Sequence, residues 1–240
     1  MSTQTGRVQT PALRVAITGG TSGLGLALVR AFVRRGAKVA FVARTASTVA
    51  RVAADTCAVG IVADVSRKDA IHRVALQVGA ALGGVDVLIN NASELGPVPL
   101  ALLADTDCED FERALQTNLL GPFRLSKALL GALAGSARER RGGVIVNISS
   151  DAAVTPYETW GAYGASKAGL RHLSHIWDAE LAGEGVRVLS LDPGDMDTPM
   201  HAAAIPGADR AALQRPEDAA TGIIAAVLSA LPALAEAVAP

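Results

Sequence analysis

Aromatic residues make up only 3% of these 240 residues while half are hydrophobic, so the interior has to be built from Ala, Val, Leu and Ile rather than from stacked rings. Cysteine is equally scarce. Cys57 and Cys108 stand alone, which excludes a disulfide framework and a thiolate metal site and reads as small filler in a reducing compartment. The four histidines form no ligand constellation, so no metal is expected. No run of eighteen apolar residues occurs, and residues 1–10 are polar, without the apolar centre of an export signal. Neither a membrane span nor secretion is expected; the cytoplasm is the compartment these absences name, with residues 1–10 a disordered lead-in. Acid is missing from the first 54 residues, which hold eight Lys and Arg; the remainder holds 14 against 23 Asp and Glu. A net charge of −1 therefore conceals a basic first quarter, suited to a small phosphate-rich ligand rather than to nucleic acid.

That ligand has a place to sit. Residues 14–18, Arg-Val-Ala-Ile-Thr, are a short apolar run of the kind that forms a buried parallel strand. They lead directly into Gly19-Gly20-Thr21-Ser22-Gly23-Leu24-Gly25 and then into a helical pattern over residues 26–33. Strand, glycine turn, helix is the context a dinucleotide site requires: the turn lets backbone approach a pyrophosphate, whose charge rests on free N–H groups at the helix N-terminus. The spacing is T-G-x-x-x-G-x-G, carried by Thr18, Gly19, Gly23 and Gly25, with Thr21, Ser22 and Leu24 between them. At the end of the second apolar run, about twenty residues on, the acid that would hold a ribose 2′-hydroxyl is absent and Arg44 is present. A cation there accommodates a 2′-phosphate, so NADP is expected over NAD.

Further along, Tyr163 and Lys167 are four residues apart, close to one helical turn, so phenol and ammonium share a face. A lysine about 4 Å away at an effective dielectric near 20 favours phenolate by roughly 4 kcal/mol, which would bring a phenol of ordinary pKa about 10 into the range where it trades protons. Ser149 and Ser150 lie fourteen and thirteen residues upstream.

Between these motifs, apolar runs at residues 85–89, 144–148 and 186–191 alternate with helical stretches, which predicts an α/β protein with a parallel sheet carrying helices on both faces. Long helices are expected over 105–134, 158–182 and 216–231. The length suits one domain, 1–240.

Taken together, the motifs resemble the short-chain dehydrogenase/reductase family in its small single-domain form, a doubly wound, Rossmann-like three-layer α-β-α fold. The resemblance implies that Asp64, in Val62-Ala-Asp-Val65, contacts adenine together with Val65, that Asn91 and Ala92 lie along the cofactor, and that Pro193, Gly194 and Thr198 lie along the nicotinamide. Its N-N-A-G motif matches Asn90-Asn91-Ala92, but the fourth position is Ser93. The implied catalytic group is Asn118, Ser150, Tyr163 and Lys167: Tyr163 transfers the proton, Ser150 bonds the substrate oxygen, Lys167 depresses the phenol pKa and holds the nicotinamide ribose, and Asn118 anchors a water that links Lys167 to solvent. The implied reaction is hydride transfer between NADP(H) and a carbonyl or alcohol, as in a ketone or aldehyde reductase. Residues 195–215 take the position of a substrate lid, offering Met196, Met200 and Ile205, with Glu94, Asp151, Glu158 and Trp160 as the opposite wall. The family's last strand has no counterpart in the tail, so the sheet should end at the 186–191 run; a homodimer through the helices at 105–134 and 158–182 is expected, a homotetramer being the alternative. Two other readings stay open, a catalytically silent nucleotide sensor or scaffold, and a lyase or epimerase that uses the nucleotide transiently.

Overall fold

In a computed structural model of the protein, residues 12–231 are described. Six parallel strands form one sheet: β1 (Arg14–Thr18), β2 (Lys38–Ala43), β3 (Val59–Val62), β4 (Val87–Asn90), β5 (Val144–Ile148) and β6 (Arg187–Leu191), in the order β3-β2-β1-β4-β5-β6. The helices are α1 (Gly23–Arg34), α2 (Ala46–Thr56), α3 (Ile71–Leu82), α4 (Cys108–Leu115), α5 (Gly121–Arg138), α6 (Gly161–Leu181), α7 (Pro199–Ala204) and α8 (Pro216–Ala230). Strand alternation decides which helix each residue meets. Val15 and Ile17 of β1, Val87 and Ile89 of β4, and Val144 and Val146 of β5 pack with Leu28 and Phe32 of α1 and Ile223 and Val227 of α8. Ala16, Leu88 and Ile145 face the other way, onto Val74 and Val78 of α3 and Leu125, Leu129 and Leu133 of α5. The result is the expected three-layer Rossmann-like arrangement with a largely aliphatic core, in which Phe32 and Phe41 are the fully buried rings.

The chain winds outward from β1 through β2 to β3, then returns to place β4 on the other side of β1. At such a reversal the following loops diverge and leave a crevice beyond the carboxyl ends of the strands, which is where this fold holds ligands. Within the described residues the sheet stops at β6; the expected lead-in and most of the tail lie outside those residues.

One expected helix is two. The stretch read as a continuous helix over 105–134 is interrupted by a wider turn at Gln116–Leu120, where the Gly121 N–H bonds the Gln116 carbonyl five residues back. Pro122 has no N–H to give the Asn118 carbonyl, so regular α pairing cannot pass through. Gly121 tightens the constraint, since a Cβ there would lie 2.9 Å from the Val65 carbonyl oxygen.

The opposite end of the sheet is fastened by charge. Asp86, fully buried just before β4, accepts from the Arg14 backbone N–H (2.8 Å), the Arg14 guanidinium (2.7 and 3.1 Å), the Ser136 hydroxyl and Arg141 (3.2 Å). Burial pushes its carboxyl up, but the hydrogen bonds from Arg14 and Ser136 more than offset this and hold it below the usual range. Asp86→Ala leaves Arg14 and Arg141 without their shared partner and should cost about 3–5 kcal/mol of unfolding free energy in a urea titration. Because the folded pKa is the lower one, the Asp86 contribution is present at neutral pH and lost as pH falls through the acid range below about 4.

Candidate active site

The glycine turn is held open by packing on both sides. A Cβ on Gly19 would lie 2.9 Å from Ala92 Cα, and one on Gly25 2.1 Å from the Gly19 carbonyl oxygen, so both positions require glycine. No side chain caps α1 and no acid occupies its first turn, so its leading N–H groups are available to an anion. Thr18 differs from expectation. It is buried, and its hydroxyl accepts from the N–H groups of Asn91 and Ala92 (both 3.0 Å), while Asn91 Nδ2 donates to the carbonyls of Thr18 (2.9 Å) and Gly19 (3.3 Å). Thr18 and the Asn91 amide thus bolt the ends of β1 and β4 together behind the turn. Thr18 does not line the cleft, whereas Asn91 does, with its Oδ1 outside this set of bonds.

In front of the turn lies a cleft of about 680 Å³. One end is lined by Arg44, Asp64 and Val65; the middle by Gly19, Thr21, Ser22, Gly23, Leu24, Gly25, Asn91 and Ala92; and the far end by Ser150, Tyr163, Lys167, Pro193, Gly194 and Thr198. Arg44 is two-thirds exposed, with its guanidinium 3.9 Å from the Glu94 carboxylate. Asp64 Oδ1 accepts from the Ser66 N–H (2.9 Å) and hydroxyl (2.7 Å), which fixes the loop after β3. Met196, Met200, Ile205, Asp151 and Trp160 line the far end as expected, whereas Glu94 and Glu158 do not. The expected lid segment closes on itself: Asp197 N–H bonds the Gln214 carbonyl (3.0 Å), and Arg210 holds Asp197 through two bonds of 2.9 Å. Tyr157, Asp192, Asp195 and His201 also line this end. They carried no spacing signal, and only the fold brings Tyr157, before α6, beside the segment after β6 that holds the other three.

Tyr163 and Lys167 emerge from one face of α6, and both are buried. Lys167 Nζ donates to the Ile148 carbonyl at the end of β5 (2.8 Å) and lies 5.4 Å from the Tyr163 ring centre. Trp160 meets the same ring edge-on at 5.6 Å. Ser150 Oγ donates to Asp151 Oδ1 (2.9 Å) and accepts from the Ala152 N–H (3.2 Å), while the Tyr157 hydroxyl holds Asp151 Oδ2 (2.7 Å). Asn118, fully buried in the wide turn, uses all four of its amide bonds. Its Oδ1 accepts from Glu94 N–H (2.8 Å) and the Ser93 hydroxyl (3.2 Å), and its Nδ2 donates to the Glu94 carbonyl (2.7 Å) and the Ser166 hydroxyl (2.8 Å). The amide is saturated by protein, so only the main chain of Asn118 is left to anchor a water.

The phenol does not follow the electrostatic expectation. Burial pushes Tyr163 up to about 12, against hydrogen bonding to Ser150 and Ser93 that pulls it down. Burial pushes Lys167 down to about 8, with Asp192 opposing. The lysine that was expected to favour phenolate is itself desolvated, and in the ligand-free cleft desolvation outweighs it for both groups. Unfolding at pH values between about 8 and the ordinary lysine value of 10.5 therefore takes up a proton at Lys167, and stability rises across that window. The climb should be on the order of 3 kcal/mol in urea titrations of the wild type and missing in Lys167→Met.

Residues 14–208 match the family described as short chain dehydrogenase. The chain is 35% identical over 187 residues to serine 3-dehydrogenase of Agrobacterium fabrum, covering 77% of this chain and 72% of that one. It is 36% identical over 185 residues to 2-(S)-hydroxypropyl-CoM dehydrogenase 3 of Xanthobacter autotrophicus, covering 75% and 70%. Among solved structures, 3-ketoacyl-(acyl-carrier-protein) reductase from Brucella melitensis complexed with NADH superposes with a TM-score of 0.82 at 26% identity, covering 89% of each chain. An alcohol dehydrogenase from Thermococcus sibiricus complexed with 5-hydroxy-NADP gives 0.79 at 26%, covering 90% of this chain and 91% of that one. With its parallel sheet, glycine turn and buried Tyr163–Lys167 pair, this chain belongs to the short-chain dehydrogenases.

Proposed function

We propose that the protein reduces a small ketone or aldehyde with NADPH, and in the reverse direction oxidises the corresponding alcohol. The observation that carries this reading is that Ser150, Tyr163 and Lys167 meet at one end of a cleft whose middle is a glycine turn and whose other end carries a cation, Arg44. The donor set fits a dinucleotide: uncapped N–H groups at α1 suit a pyrophosphate, Arg44 suits a 2′-phosphate, and Asp64, on the same wall as Arg44, is assigned to the base. The bound nicotinamide supplies or accepts the hydride.

The protein's part is placement and proton handling. A phenol held protonated up to about 12 is an acid at neutral pH, so it can give its proton to a carbonyl oxygen as the carbon is reduced. The carbonyl π pair becomes the new O–H bond, and the phenolate left on Tyr163 regains a proton from solvent. Ser150 faces the same oxygen once its hydroxyl turns away from Asp151, and stabilises charge there. Lys167, fixed by the Ile148 carbonyl, favours the transient phenolate, and we assign it the nicotinamide ribose as well. Asn118 serves by tying the Ser93–Glu94 loop to α6, and its main-chain carbonyl, which Pro122 has no N–H to bond, is the site we assign to a relay water.

At the reacting end the carboxylates of Asp151, Asp192 and Asp195 disfavour an anionic substrate and suit a neutral or amino-bearing alcohol or carbonyl. Relatives named for serine and for 2-(S)-hydroxypropyl-CoM extend the range to test. The α4–α5 and α6 surfaces are the proposed homodimer contact.

Nicotinamide absorbance, followed with NADPH or NADH and a panel of ketones, aldehydes, serine and secondary alcohols, tests the reading. Turnover that prefers NADPH is expected; tight binding with no turnover on any member would point to a silent sensor instead. Tyr163→Phe should lower kcat by about 10³-fold with NADPH affinity within about twofold of wild type, and near-normal rates would refute the assignment. Arg44→Ala should raise the NADPH KM by about tenfold or more and leave the NADH KM nearly unchanged.

A further inference from the structure

The Tyr163 hydroxyl has a second serine beside it. Ser93 follows β4, where the family pattern has glycine, and lines the cleft with Tyr163 and Ser150. Its hydroxyl donates to Asn118 Oδ1 across 3.2 Å, a longer contact than the 2.8 Å bond that the Glu94 N–H makes to the same oxygen. A hydroxyl carries one proton, so while that proton points to Asn118 the Ser93 oxygen can only accept from Tyr163. Ser150 is in the same position, its own proton committed to Asp151. In this arrangement the protons of both serines are thus committed elsewhere, and neither is given to Tyr163.

Once Tyr163 has given up its proton, the balance reverses. A phenolate attracts a donor more strongly than a neutral amide oxygen does. Asn118 Oδ1 keeps its shorter bond from Glu94 after Ser93 leaves, so the turn of the rotor strands no buried acceptor. Ser150, by contrast, has to leave a carboxylate and also serve the substrate oxygen. We propose that Ser93 is a positioning residue for proton transfer: its hydroxyl turns from Asn118 Oδ1 to the Tyr163 oxygen when the phenol ionises, and stabilises the phenolate. No atom is exchanged in this step; one hydrogen bond breaks and another forms.

The charged and titratable groups around Tyr163 are Lys167 on α6, Asp151 and Tyr157 between β5 and α6, Asp192 after β6, and Asp195 and His201 on the lid segment; Ser93 stands after β4. The effect of a hydroxyl is separable from theirs because a serine substitution leaves all of these charges in place. The proposal rests on Tyr163 as the proton donor, and its test needs no substrate.

The protein has two tyrosines, so Tyr157→Phe leaves Tyr163 as the sole source of tyrosinate absorbance. In that background, a stopped-flow jump to about pH 11.5, read within milliseconds, should ionise roughly a quarter of a phenol whose pKa is about 12. One hydrogen bond to a charged oxygen is worth about tenfold, so Ser93→Ala and Ser93→Gly should each reduce this to a few per cent, and Ser93→Thr should restore it. An unchanged fraction in both the alanine and glycine variants overturns the proposal. Where an alcohol from the panel turns over, Ser93→Ala should slow its oxidation about tenfold at neutral pH and approach the wild-type rate as pH rises, because the limb has moved up by about one unit. A loss of equal size at every pH would mean a merely structural role and would also overturn it. If wild type turns over nothing while the tyrosinate fraction follows residue 93, the reductase reading fails and the assignment of Ser93 to the phenol stands.

Discussion

A buried ammonium must be given a hydrogen-bond acceptor, and in this protein Lys167 is given the Ile148 carbonyl, 2.8 Å away at the end of β5. Leaving that group unpaired in an apolar interior would cost several kcal/mol, so the contact fixes how α6 lies on the sheet. Tyr163, one turn earlier on the same helix, is positioned by the same bond. Ser150 comes from the loop that leaves β5 two residues beyond Ile148. Three site residues thus take their places from one strand end and one helix. The Asn118 amide then joins this unit to the loop after β4 by way of Ser166 and Glu94. Geometry that looks like a meeting of distant residues is a short chain of contacts from a single charged group.

Work and strength are divided between the two ends of the sheet. The carboxyl ends carry uncapped N–H groups, rotating hydroxyls and carboxylates on loops, none of which is held as firmly as the core. The amino ends carry the Asp86 cluster, where two arginines and a serine converge on one buried carboxylate. A site that has to admit a ligand and change proton positions is thereby carried by strands anchored elsewhere.

Much of this could be read from the residues alone, and the limits have physical causes. Apolar runs located five of the six strands to within about two residues, because burial on both faces of a parallel sheet leaves little choice of residue, while the short β3 gave no such run. The glycine turn and the Tyr163–Lys167 pair were legible because backbone approach and helical spacing impose local rules. The wide turn at 116–120 was missed although Pro122 was in view, since a proline in the first turn of a new helix and one that breaks an old helix look alike locally. Thr18 was taken as a ligand contact but lies behind the cleft, tied to the Asn91 and Ala92 N–H groups, and Asn91, which does line the cleft, also bonds the Thr18 and Gly19 carbonyls; that pairing depends on β1 and β4 being neighbours. The direction of the Tyr163 shift was also missed: spacing reports the lysine, whereas burial comes from the whole fold. Tyr157 precedes α6, Asp192 and Asp195 share the loop after β6 and His201 stands on α7, and nothing in their order along the chain announces that Tyr157 shares a wall with the rest.

The scarcity of rings has a practical consequence. Only two indoles are present, and they occupy contrasting surroundings: Trp177 stacks at a tilt on Phe123 with centroids 5.4 Å apart, while Trp160 rests edge-on against Tyr163. Emission from Trp160 is thus a native optical gauge of cleft occupancy, with Trp177 as an internal reference away from it. Ligand titrations can be followed on the unlabelled protein by its own light.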